Sequence, residues 1–301
     1  MNSTGGPANG RTNPIGRHLQ TSGGLRKTLR TAGELGCEAI QVFVSNPQGW
    51  AVPAPREDGP EFAAGAREAG ISPVVVHSKY LINLASGKEE GREKSVRALA
   101  EELAAAGALG AELVVVHSGS HGGDGAMEGM ERLVAGLRQA RELSSEVSGE
   151  TDGAVPAEPV LENPVGAGSQ LCSLFGELGE AAERAGVRVC VDTAHAFVAG
   201  YDLSTPEGAA GVAEELRAAL GERVAMFHLN DAKNELGSHR DGHRKLGEGQ
   251  VPVASWTELL RAFPGVPAVM ETPYDTPETD REEVELLKEL AAGLPKERGS
   301  V

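Results

Sequence analysis

Eight short apolar runs, most of them rich in Val and Ile, constrain the fold of this 301-residue chain more than any other feature. Runs such as PVVVHS and ELVVVHS show no alternation of apolar and polar residues, which predicts strands that are covered on both faces. Between the runs, apolar residues recur at helical spacing. The runs lie at 14–19, 39–44, 72–78, 112–118, 158–163, 187–193, 223–231 and 267–273.

Eight strands that alternate with helices predict an α/β protein. A closed (β/α)8 barrel, or TIM barrel, typically takes about 250 residues and is the most economical arrangement. A doubly wound open sheet is the alternative, but no GxGxxG motif follows the first strand. We expect a single barrel domain over 14–295, a disordered leader over 1–13, and an acidic loop insertion at 144–157 on the bottom of the barrel.

Two helices are predicted from apolar spacing in particular. The first follows Ser169, which we expect to be its N-cap residue. The second lies close to the C-terminus. The apolar positions are Leu171, Leu174, Phe175 and Leu178 in the first, and Val284, Leu287, Leu290 and Leu294 in the second.

Composition narrows the class of protein. Hydrophobic residues make up 40% of the chain, which is enough for a substantial core. The three cysteines are widely separated and form no CxxC pair, so we expect neither a disulfide framework nor a thiolate zinc site. No run approaches the ~18 apolar residues that a membrane helix needs. We therefore expect a cytoplasmic protein without membrane contact. We also expect a monomer.

Side chains that can bind metal ions lie at the C-terminal ends of the predicted strands. In a barrel these ends form one ring at the top face, where catalytic residues gather. One histidine at a strand end is more often structural, but several carboxylates at one mouth would repel each other without cations. The sequence therefore predicts a metal site there. The candidates are His18, His77, His117, Glu162, Asp192, His195, His228 and Glu271, with Asp231, Asp241 and His243 just beyond the seventh strand.

Three longer blocks resemble the signature motifs of the endonuclease IV family of AP endonucleases. They are VLENPVGAGS at 160–169, VDTAHAFVAGYD at 191–202 and HLNDAKNELGSHRDGHRKLGEG at 228–249. Shorter segments that resemble the family in order and spacing are GRHLQTSGGL at 16–25, VFVSNPQGW at 42–50, VHSKYLINLAS at 76–86 and VHSGSH at 116–121.

The resemblance covers about residues 14 to 290 and implies a TIM barrel of the xylose isomerase-like superfamily. It also implies a DNA-repair endonuclease with three zinc ions that cuts duplex DNA on the 5′ side of an abasic site and leaves a 3′-hydroxyl. Trimming of damaged 3′ ends is a further activity to be tested. Such an enzyme would associate with the nucleoid when it acts.

Carried over by position, the resemblance implies nine zinc ligands. Imidazole and carboxylate ligands without thiolate suit zinc, with manganese as a substitute. A hydroxide held by a zinc pair would attack the phosphate, with Glu162 and Glu271 as the catalytic carboxylates. His18 would lie near the ions without binding one. The implied sets are His77, His117 and Glu162; Glu162, Asp192, His228 and Glu271; and His195, Asp241 and His243.

The family resemblance also implies DNA contacts on the loops that follow the strands. Tyr80 and Leu81 resemble a wedge that fills the gap left by a flipped nucleotide, although Tyr80 could be an ordinary loop aromatic. Gln48 stands where family members place an arginine, so we expect shallower insertion into the base stack. The other predicted contacts are Asn46, Trp50, Ser169, Lys233, Arg240, Arg244 and Lys245.

The formal net charge of −16 argues against a general polyanion binder. DNA binding should therefore be salt-sensitive and confined to one face. We expect the acidic residues to lie at the bottom of the barrel and on its outer helices, which include 144–157 and 278–290.

Two other functions remain open. A sugar isomerase or epimerase of the same superfamily shares a metal set that resembles Glu162, Asp192, His228 and Glu271, but it does not require the remaining five ligands. A sensor that binds abasic sites without cutting them would be expected if ligands were missing, and all nine positions hold a suitable residue.

Overall fold

The computed structural model describes residues 12–151 and 154–293, and a closed barrel of eight parallel strands forms its centre. The prediction of a TIM barrel is confirmed, and the open-sheet alternative is wrong. The barrel strands are β1 (Ile15–His18), β2 (Ala39–Val42), β3 (Val74–His77), β4 (Leu113–His117), β5 (Glu158–Glu162), β6 (Arg188–Asp192), β7 (Val224–His228) and β10 (Ala268–Met270). They pair in the order β1, β10, β7, β6, β5, β4, β3, β2, and back to β1.

Helices surround this barrel. None of those in the described ranges is long and apolar enough to cross a membrane. A two-stranded antiparallel hairpin, which the sequence did not predict, stands beyond β7 and consists of β8 (Asp231–Ala232) and β9 (His243–Arg244). The helices are α1 (Leu25–Leu35), α2 (Gly59–Glu68), α3 (Glu89–Ala108), α4 (Ala126–Thr151), α5 (Phe175–Ala185), α6 (Thr193–Ala199), α7 (Pro206–Leu220), α8 (Val253–Ala262) and α9 (Pro277–Ala291).

The alternation of side chains along the strands determines which residues reach the site. Alternate residues such as Leu113 and Val115 belong to a separate apolar cluster inside the barrel, while Val114 and Val116 belong to the core between strands and helices. A residue two positions beyond an interior one also points inward. At the C-terminal ends of six strands that residue is a histidine or a carboxylate. The pairs are Val75 and His77, Val115 and His117, Val160 and Glu162, Cys190 and Asp192, Met226 and His228, and Val269 and Glu271.

The acidic segment at 144–157 is not a loop throughout. Helix α4 continues to Thr151, because this segment still presents a buried face at Ser144 and Ser148. The Ser144 hydroxyl donates to the Arg141 carbonyl at 2.7 Å, so the helix itself satisfies it. Residues 152 and 153 lie outside the described ranges, and 154–157 lead into β5.

Of the two helices predicted from apolar spacing, one begins later than expected. Helix α5 begins at Phe175 rather than after Ser169, because Cys172 adopts a left-handed conformation with φ of 65° that a helix cannot contain. In α9, Val284 and Leu287 are buried as predicted.

The two ends of the chain are described only in part. Asn13, which was assigned to the leader, is buried and donates to the carbonyls of Phe263 and Val266 at 2.7 and 2.8 Å. Residues 1–11 of the predicted leader and Leu294 of the predicted last helix lie outside the described ranges.

Candidate metal centre

A first group of possible ligands lies at the ends of β3, β4 and β5. The Glu162 Oε2 atom is 3.1 Å from His117 Nε2 and 3.5 Å from His77 Nε2. His77 Nδ1 donates to the Ser78 carbonyl at 2.8 Å, which leaves Nε2 facing the carboxylate. Glu162 Oε2 is buried and has no hydrogen-bond partner among the described residues. An orphaned carboxylate oxygen between two imidazoles fits a divalent cation.

A second group shares Glu162 and lies deeper in the barrel. His228 Nδ1 is 2.8 Å from Glu162 Oε1, 3.4 Å from Glu271 Oε2 and 3.9 Å from Asp192 Oδ2. One ligand atom from each of these four residues lies within 4.8 Å of the others. Glu162 thus offers Oε2 to the first group and Oε1 to the second.

A third group forms where α6 meets the β8–β9 hairpin. Asp241 Oδ1 is 3.4 Å from His195 Nε2 and 3.7 Å from His243 Nε2, and Asp241 is largely exposed. His243 Nε2 is also 3.7 Å from Asp192 Oδ2, and it has no hydrogen-bond partner in the described part of the chain. Asp192, His195 and His243 each offer a ligand atom within 4.8 Å of the other two, so Asp192 contributes to two groups where the resemblance implies one.

The carboxylates and imidazoles of the centre shift one another's pKa. Burial raises the pKa of Glu162, but the positive charges of His228 and His117 outweigh it and hold the pKa well below its usual range. Burial lowers the pKa of His195, but Asp192 and other carboxylates outweigh it and raise the pKa to about 10. Without metal, protonated imidazoles thus compensate the carboxylates, and an incoming cation would displace those protons.

The sequence analysis missed two amides that orient these ligands. Gln41 follows the interior residue Ala39 by two positions, and its Oε1 accepts from His228 Nε2 at 2.9 Å. Gln41 Nε2 donates to Glu271 Oε1 at 2.6 Å. Asn230 Nδ2 donates to Asp192 Oδ2 at 2.6 Å. The spacing from Ala39 was the available signal for Gln41.

Two other residues border the ligands. His18 Nδ1 lies 3.0 Å from Gln41 Nε2 and 3.8 Å from Glu271 Oε1, so His18 neighbours a candidate ligand. The Cys190 thiol lies within 4.8 Å of ligand atoms of Glu162 and His228, a position that the absence of a CxxC pair does not reveal. Burial raises the pKa of Cys190 to about 12, so its thiol is protonated at neutral pH.

The aromatic and apolar loop residues stand at the mouth of this centre. A pocket of about 460 Å³ is lined by His18, Phe43, Tyr80, His243, Glu271 and Tyr274, among others. Tyr80 is half exposed and stacks on His117 with ring centroids 5.9 Å apart, and Leu81 beside it is also exposed. The predicted wedge therefore borders the candidate ligands.

The loop after β2 holds three of the predicted DNA contacts. Asn46 and Gln48 are exposed, and the Gln48 backbone N–H donates to Asn46 Oδ1 at 3.0 Å. Trp50 instead packs against the core, with Lys94 Nζ 4.6 Å from its ring centroid, which favours a structural role. Outside this loop, after β5, the predicted contact Ser169 accepts with its Oγ from the Gly122 N–H at 3.2 Å.

The basic residues beyond β7 divide into two kinds. Lys233, Arg240 and Arg244 are exposed, and none of them forms an ion pair with another described residue. The hypothesis that Lys245 holds a phosphate is not supported, because its side chain is mostly buried and its Nζ pairs with Asp280 Oδ1 at 2.9 Å.

Asp231 is not placed as a ligand either. Its carboxylate accepts the backbone N–H groups of Gly247, Gly249 and Val251 at 2.9, 2.8 and 2.9 Å. It therefore anchors the segment that follows β9.

Comparison with known proteins identifies the family. Residues 29–290 match a family model described as xylose isomerase-like TIM barrel. The probable endonuclease 4 of Streptomyces avermitilis is 40% identical over 295 residues, which cover 93% of this chain and 91% of that protein. Endonuclease IV from Thermus thermophilus, known from a crystal structure, has 31% sequence identity to this chain. The two structures superpose with a TM-score of 0.79 over 93% of this chain and 99% of that one.

A likeness to a D-tagatose 3-epimerase-like protein, at 18% identity and a TM-score of 0.69, concerns the fold alone. The full-length matches carry more weight than this likeness. The chain therefore belongs to the endonuclease IV family of AP endonucleases, within the xylose isomerase-like TIM barrels.

Proposed function

We propose that this enzyme hydrolyses the phosphodiester on the 5′ side of abasic sites in duplex DNA and leaves a 3′-hydroxyl. The observation that carries the proposal is the convergence of nine ligand-type side chains in three adjoining groups beneath one open pocket. A phosphodiester carries a negative charge that repels a hydroxide nucleophile, so a centre for its hydrolysis must supply several positive charges together.

We assign the three groups to three zinc ions, with manganese as a substitute. The first would be held by His77, His117 and Glu162, and the second by Glu162, Asp192, His228 and Glu271. The third would be held by His195, Asp241 and His243, with Asp192 in reach. When bound, zinc polarises phosphoryl oxygens and lowers the pKa of water to about 7. The orphaned Glu162 Oε2 and His243 Nε2 atoms support this assignment.

The protein's own residues would then select and hold the DNA. Tyr80 and Leu81, exposed at the rim, would fill the space left by the flipped abasic nucleotide. The exposed cations Lys233, Arg240 and Arg244 would contact phosphates and set the register on the duplex. The pocket beneath Tyr80 would take the extruded sugar and leave its phosphate above the carboxylates.

Loop contacts and 3′ chemistry extend the same proposal. Asn46 and Gln48 would face the strand opposite the lesion, and the neutral Gln48 would insert less deeply than an arginine. Ser169 and Trp50 would contribute less, because their side chains are engaged within the protein.

Trimming of blocked 3′ ends requires the same diester hydrolysis at a strand terminus, so we expect it in the same centre. We also expect a monomer that acts in the cytoplasm on the nucleoid.

A synthetic duplex with one abasic site tests the proposal. We expect a nick on the 5′ side with a 3′-hydroxyl that a polymerase extends directly, and loss of nicking in Glu162→Ala. The matched control is Glu158→Ala, which removes an exposed carboxylate at the other end of β5. An enzyme that epimerises free ketoses and leaves the duplex intact would contradict the proposal. So would a protein that binds the lesion with full metal content but does not cut it.

A further inference from the structure

A buried ion pair lies beneath the two loops that carry the predicted wedge and the Gln48 segment. Lys79 follows β3, Glu102 lies in α3, and both side chains are only 1% exposed. Lys79 Nζ donates to Glu102 Oε1 at 2.8 Å and also bonds to Ser45 Oγ. Neither charged residue is among the predicted ligands or DNA contacts.

Glu102 also holds the backbone of one loop and a side chain of the other. Its Oε2 accepts the backbone N–H of Lys79 at 2.9 Å, and its Oε1 accepts from the Ser45 hydroxyl at 2.9 Å. The Tyr80 N–H, one residue further on, donates to the Pro47 carbonyl at 3.1 Å. One carboxylate in α3 thus fixes the loop after β2 and the loop after β3, which are also bonded to each other.

Stability alone does not account for this pair. Removing two charges from water offsets most of their mutual attraction, so an apolar pair of similar volume would serve the fold about as well. An apolar pair could not supply the directional bonds to Ser45 and to the Lys79 backbone. Those bonds fix the backbone at the residue before Tyr80 and so the position of the Tyr80 side chain. The Tyr80 ring is half exposed and stacks on His117.

We propose that Lys79 and Glu102 are positioning residues that fix the two DNA-facing loops relative to each other. They thereby determine affinity for abasic duplexes rather than the rate of bond cleavage. This inference rests on the proposed function, because it assumes that Tyr80 and the Gln48 loop contact DNA. A small phosphodiester needs only the metal centre, so its hydrolysis should not depend on the ion pair.

The double variant Lys79→Met with Glu102→Leu tests this inference, because it removes both charges and leaves no buried charge without a partner. Kinetics are measured on the abasic duplex and on bis(p-nitrophenyl) phosphate, alongside the melting temperature. We expect KM for the duplex to rise about tenfold, with kcat and hydrolysis of the small diester within about twofold of wild type. Ser45→Ala removes the hydrogen bond from Ser45 to Glu102 and leaves the ion pair in place. KM for the duplex should rise in this variant too.

The matched control is Arg97→Met with Glu101→Leu, an ion pair in the same helix whose arginine is exposed, and it should change neither KM nor kcat. An unchanged KM for the duplex in the double variant overturns the inference. If the double variant does not fold, an unchanged KM in Ser45→Ala overturns it instead. Equal losses on the duplex and the small diester also overturn it, because they indicate general damage. Failure of the wild-type enzyme to nick the abasic duplex would instead reject the proposed function.

Discussion

Replacing Gln41 by leucine tests whether the barrel interior orients the metal ligands. Gln41 is fully buried, and its amide contacts His228 Nε2 at 2.9 Å, Glu271 Oε1 at 2.6 Å and His18 Nδ1 at 3.0 Å. Leucine is similar in size but has no polar atom. The substitution therefore keeps the packing while it removes the hydrogen bonds that hold two candidate ligands.

The expected magnitude follows from the burial of the two partners. His228 is completely buried, so its unpaired Nε2 donor would cost about 1–3 kcal/mol. The Glu271 side chain is 16% exposed, and water can replace part of its lost bond. Loss of the partner that orients a ligating histidine typically weakens metal binding by about 10–100-fold. We expect that range for zinc in Gln41→Leu, together with a lower melting temperature of the metal-free protein.

Competition with a chelator of known zinc affinity measures the effect, and thermal unfolding is followed on the same metal-free preparation. Gln20→Leu is the control, because Gln20 is exposed and lies outside the centre. If Gln41→Leu binds zinc as tightly as wild type, Gln41 does not orient the ligands and the reasoning from the barrel interior is refuted.

Three further predictions follow from individual side chains. Burial raises the pKa of Cys37 to about 11 and of Cys172 and Cys190 to about 12. The protonated thiols should therefore resist alkylation at pH 8 in the native protein, and all three should react in guanidinium. Rapid labelling of the native protein would contradict this. Asp231→Ala should lower the free energy of unfolding by about 2–4 kcal/mol, because three backbone N–H groups lose their acceptor; chemical denaturation measures this, and no change would refute it. Gln48→Arg should tighten binding to an abasic duplex in a fluorescence titration, and an unchanged affinity would refute the idea of shallow insertion.

The sequence was sufficient to predict the barrel from its unalternating apolar runs, and to predict where the candidate ligands gather, because they end those runs. The period of two along a strand explains why these side chains point inward. A strand that is buried on both faces reads as an apolar run, and a histidine or carboxylate at its end stands out against that run. His117 after Val115 and Glu162 after Val160 are examples. The same period indicates Gln41 after Ala39, but a neutral amide does not suggest metal chemistry by itself.

Other features depend on contacts that sequence spacing does not encode. Asp231 and Asp241 have the same side chain and lie in the same loop region, yet one accepts backbone N–H groups and the other faces His195. Lys245 has the charge that suits a phosphate, but Asp280 in a distant helix neutralises it. The pairing of Lys79 with Glu102 likewise requires α3 to pack beneath the loop.

Anomalous diffraction at the zinc absorption edge, from crystals of the protein as purified, tests the central claim most directly. The account predicts three zinc peaks that share Glu162 and Asp192, with ligand distances of about 2.0–2.3 Å. Peaks at only one or two of the three groups would contradict the three-zinc centre. Zinc bound elsewhere, with Glu162 left in hydrogen bonds to uncoordinated histidines, would contradict the account as a whole.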